Sequence, residues 1–86
     1  MNEEQLLDEI SLGDRARHAY ESYVKEYIEQ VNLNLFNEFS SSSVENIDRV
    51  LEIKRLQSAV KGLETSILQD IETGKLALIS LEQLRK

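Results

Sequence analysis

Eighty-six residues with three glycines and no proline, cysteine or tryptophan leave room for one small domain, with no disulfide framework and no thiolate metal site. Apolar residues make up 41% and charged residues 30%, a globular rather than a disordered composition. The formal charge of −6 sits wholly in residues 1–40 (nine acids, three bases), whereas residues 41–86 carry seven of each, a balance that disfavours nonspecific contact with phosphate backbones.

Residues 1–13 form an acidic N-terminal segment. Glu3, Glu4, Asp8, Glu9 and Asp14 make an acidic patch at its start and just beyond its end. The acidic opening is unlike a basic signal or transit leader, so the expected setting is not a secreted one. Leu6, Leu7 and Ile10 keep helical spacing, and Ser11 or Asp14 is suited to cap a following helix. A first long helix is predicted over residues 14–39. Tyr20, Val24, Ile28 (or Tyr27), Val31, Leu35 and Phe39 recur at steps of three and four, and Tyr23, Tyr27, Leu33 and Phe36 widen that stripe.

Four consecutive serines at residues 40–43 mark a turn, since serine competes for backbone hydrogen bonds. Ser42 and Glu45 have capping-box spacing for a second helix over residues 44–72. Ile53, Leu56, Val60, Leu63 and Ile67 form a heptad seam in it, and Gly62 is an interior glycine suited to a close helix approach. Thr73-Gly74 reads as a helix stop with Gly74 just past the end, and residues 75–85 as a short C-terminal helix. The longest apolar run, Leu76 to Ile79, is far short of the roughly 20 residues a membrane span needs.

The expected fold is all-α: an antiparallel helical hairpin of two long helices plus the short C-terminal helix. Its apolar stripes are wider than one partner helix can cover, so completion by oligomerisation is expected. The candidate interface is Tyr20, Tyr23, Tyr27, Val31, Ile53, Leu56, Val60, Leu63 and Ile67.

Motifs with chemistry are few. Gly74-Lys75 echoes a phosphate loop, but Gln69 and Leu76 occupy the positions where glycine and a hydroxyl residue are required. His18 is the single histidine and, beside Arg15 and Arg17, reads as a surface residue. Lys54, Arg55 and Lys61 are offset by Glu52 and Glu64 and have no aromatic neighbour for base stacking. No enzyme activity, metal, cofactor or small-molecule substrate is expected, and nucleic acid is not an expected partner.

The stretch Gly13-Asp14-Arg15-Ala16-Arg17-His18-Ala19-Tyr20, with Glu72-Thr73-Gly74-Lys75-Leu76-Ala77 and then Leu81, resembles a group of short helical proteins. These are encoded in the virion-morphogenesis clusters of tailed, especially short-tailed, bacteriophages. The likeness covers residues 12–84. Leu12 stands where the group tends to carry arginine, and the serines at residues 40–43 replace a longer polar connector. The resemblance implies a phage setting, in the virion or the host cytoplasm, and a noncatalytic structural or assembly role. Its partners would be further copies of itself or another virion or host protein. Two other readings are a small acidic inhibitor or adaptor for a basic site on a host protein, and a small terminase-like oligomeric packaging protein.

Overall fold

The computed structural model describes residues 2–42 and 45–86. Among these the chain is entirely helical apart from short ends and the link between two arms. The first arm comprises helix α1 (Glu3–Ala19), a π-helical turn (Tyr20–Val24) and helix α2 (Lys25–Ser41), run together without a break. The second is one helix, α3 (Ile47–Leu84), of 38 residues.

Helix α1 starts earlier than the sequence suggests. The Asn2 side chain accepts a 2.7 Å hydrogen bond from the Gln5 amide and caps it, so neither Ser11 nor Asp14 acts as a cap. The acidic segment is thus part of the helix, with Glu3 and Glu4 in its first turn, where acids complement the helix dipole. At the other end of the arm the Ser41 and Ser42 hydroxyls donate to the Glu38 carbonyl at 3.2 and 2.6 Å. Ser42 then turns to extended backbone (ψ 140°) and ends the helix.

The Ser42–Glu45 capping box is not made. Asn46 caps α3 by accepting from the Arg49 amide at 3.2 Å, leaving Ser42 to close α2. Ser43, expected in the turn, and Val44, expected to open the second helix, lie outside the described residues.

The predicted stop at Thr73-Gly74 is also corrected: α3 passes through it, and there is no separate C-terminal helix. Gly74 is buried against Gly13 of α1. A β-carbon on Gly13 would lie 2.8 Å from the Gly74 Cα and 3.0 Å from the Asp70 carbonyl oxygen. One on Gly74 would lie 2.9 Å from the Gly13 Cα and 3.1 Å from the Glu9 oxygen. Backbone meets backbone here, and glycine is what allows it.

The arms meet in opposite sequence order. Glu3 pairs with Arg85, Gly13 abuts Gly74, Tyr20 bonds Glu64 and Glu38 pairs with Arg49. Backbones approach closely between α1 and α3 and much less so between α2 and α3. Leu6, Ala77 and Leu81 form the core of the close half, with Ile10 packed against them. Elsewhere the buried apolar residues are Ile28, Leu35, Ile53 and Ile71.

The π turn keeps the first arm in register. The Lys25 amide donates to the Tyr20 carbonyl, an i→i+5 bond that inserts one residue into the helical repeat. Inward positions therefore step by four twice in succession, Tyr20–Val24–Ile28, before the usual alternation resumes at Val31 and Leu35. This decides the alternative left open by the sequence: Ile28 faces inward and Tyr27 is 71% exposed.

The molecule is a thin ribbon, 63 × 23 × 14 Å, with a radius of gyration of 18.4 Å against about 12 Å for a compact chain of this length.

Candidate protein-interaction surface

The nine candidate interface residues fall into three groups. Ile53 is fully buried between the arms. Tyr20, Val31, Val60 and Ile67 are half-buried, lining the inside of the more open half. Tyr23, Tyr27, Leu56 and Leu63 point to solvent, Tyr23 73% and Leu63 59% exposed.

Of the two columns of the heptad seam, one faces the first arm and the other does not. Ile53, Val60, Ile67, Gly74 and Leu81, seven residues apart, face the first arm. The companions of Ile53, Val60 and Ile67 on the inner face are Gln57, Glu64 and Ile71, four residues after each, rather than Leu56 and Leu63 three residues after. Glu64 earns its inward place through Tyr20, whose hydroxyl donates to Oε2 at 3.0 Å. That hydrogen bond, partial burial and the negative charges of Glu64 and Glu29 raise the Tyr20 phenol above its ordinary value.

Displaced from the seam, Leu63 stands opposite Tyr23 and Tyr27 across a groove of about 520 Å³. Val24, Ile28, Val31, Val60 and Ile67 make up the rest of its lining, so it has no charged residue. A groove of this lining offers shape and apolar area but no group able to donate, accept or transfer a proton at its floor. A second apolar depression lies beside the link, lined in part by Phe39, Ile47, Val50 and Leu51.

The acidic patch does not converge on one site. Glu3 is taken up by Arg85 (Nε to Oε1, 3.1 Å) and Asp14 by Arg17 (3.4 Å). Glu4, Asp8 and Glu9 remain along the flank of α1. Lys54, Arg55, Lys61 and His18 are exposed. Among the described residues there is no group of three or more His, Cys, Asp or Glu side chains placed to hold a metal ion, and no helix long and apolar enough to cross a membrane.

The exposed surface is 6682 Å², whereas a compact chain of 9.9 kDa exposes about 5,200 Å². Among the described residues, sixteen large apolar side chains contribute to it, several of them in the open half. Comparison with family models, curated proteins and solved structures returns no match for this chain.

Proposed function

We propose that this protein is a noncatalytic structural or assembly component of a bacteriophage particle. It acts as an antiparallel helical hairpin that completes its core by self-association and by helix–helix contact with other proteins. The supporting observation is the apolar groove between Tyr23, Tyr27 and Leu63, held open on a ribbon only 14 Å thick. A patch of that kind on a small chain marks a protein-binding face. The phage setting rests on the resemblance of residues 12–84 to the morphogenesis-cluster proteins. Against the acidic-adaptor reading, Glu3 and Asp14 already have basic partners within the chain, which blunts the patch.

Sedimentation velocity across a concentration series, paired with protein analysis of purified phage particles, tests the proposal. Mass above that of one chain and presence in the particle are expected. A strict monomer that is also absent from particles contradicts it.

A further inference from the structure

Beside the groove, one exposed face of α3 has a pattern of its own. Leu63 on the groove rim has Gly62 beside it, and a β-carbon built on Gly62 meets nothing within 4 Å. Two of the three glycines are thus consumed by the contact between the arms, and the third sits in open space in mid-helix. There it costs about 1 kcal/mol of helix propensity relative to alanine and gains no packing within the chain.

Ala59 and Ser66, seven residues apart, run along the same exposed face. The Ser66 hydroxyl is turned back onto the Gly62 carbonyl at 3.1 Å, so it offers little polarity outward. Arg55 and Asp70 stand toward the two ends of this face. Both are exposed, and neither has a side-chain ion pair or hydrogen bond among the described residues.

These positions are self-complementary. When a second α3 is laid antiparallel on the first, with the two-fold axis between Gly62 and Leu63, each Leu63 falls over the partner's Gly62. Ala59 falls against the partner's Ser66, and Arg55 against the partner's Asp70. Small residues let the backbones approach, the leucine fills the space the glycine leaves, and unlike charges meet at both ends.

From this the geometry points to a second copy of the same chain seated on this face: a two-fold dimer centred on antiparallel α3 helices, beside the groove and sharing Leu63 with its rim. The inference rests on the self-association proposed above and specifies its surface. Charge agrees with it. Residues 41–86 have no net charge, so two α3 helices meet without net repulsion, whereas two first arms would oppose −6 to −6.

The test is sedimentation equilibrium on the full chain and five variants. Leu63→Asp, at an exposed site, leaves the fold intact and weakens dimerisation about 30-fold or more. Gly62→Ala weakens it as well without lowering the helix content of the monomer. Arg55→Asp and Asp70→Arg each weaken it, and the double variant R55D/D70R restores it. On one helix these two residues are about 22 Å apart, so restoration can arise only between copies. A native chain that is monomeric throughout overturns the self-association itself. A native dimer indifferent to Leu63→Asp, or a double variant no tighter than either single one, overturns this face or register and leaves self-association standing.

Discussion

The two halves of the ribbon are built from the same pair of arms and differ in what lies between them. In one, Gly13 and Gly74 bring α1 and α3 into backbone contact, and Leu6, Ala77 and Leu81 close over the joint. In the other, the facing positions of α2 and α3 carry valine, isoleucine and leucine where the first half has glycine and alanine. Those side chains hold the backbones apart and leave a groove of about 520 Å³. Close packing depends on how near the helix axes can come, not on how many apolar residues the facing stripes contain. The half richer in large apolar side chains is the half less complete.

The hardest way to break this contrast is to empty the closed half. Leu6→Ala removes a side chain that is 1% exposed and should cost about 2–5 kcal/mol in urea unfolding of the dilute chain. The same truncation at Leu56, which is 44% exposed, should change dilute stability by no more than about 0.5 kcal/mol. Equal losses at the two sites would erase the distinction between the halves.

Gly74→Ala should destabilise by about 1–3 kcal/mol through overpacking, despite alanine's better helix propensity. Its β-carbon has only backbone to meet. Gly62→Ala should do the reverse in the dilute monomer, stabilising by up to about 1 kcal/mol, because nothing surrounds that site. Opposite signs for the same substitution on the same helix would be direct evidence that one glycine is used inside the chain and the other is not.

The smallest effect belongs to the Tyr20–Glu64 bond, near the junction of the halves. The folded phenol titrates above its unfolded value of about 10. The contribution of the bond is therefore fully present below pH 10 and is lost as pH rises through the folded value. Tyr20→Phe should flatten that alkaline slope in a pH series of melting temperatures while leaving neutral-pH helix content unchanged.

Much of the architecture is legible in the residues. Tyr20, Val24, Ile28, Val31 and Leu35 and the isoleucine–valine column at 53, 60 and 67 lie on the inner faces, whereas Phe39 and the residues read as widening the first stripe are exposed. Gly74 misleads because a helix-ending glycine and a helix-crossing glycine are the same residue. Only the position of Gly13 on the neighbouring arm tells them apart. Leu56 and Leu63 mislead for a related reason. Hydrophobicity ranks leucine above glutamate, yet Glu64 is drawn inward by a tyrosine 44 residues away. The inserted π-turn residue could have been suspected from the paired four-residue steps Tyr20–Val24–Ile28, which an uninterrupted seam does not show.

Amide hydrogen exchange on the native chain, recorded residue by residue at a dilute and a concentrated sample, tests the contrast most directly. Protection of the amides around Leu6, Ile10, Ala77 and Leu81 should be the same in both samples. Protection around Ala59, Gly62, Leu63 and Ser66 should rise with concentration as a second copy covers that face of α3. Equal, concentration-independent protection along the whole ribbon would mean that each chain completes its own core, and would contradict the account.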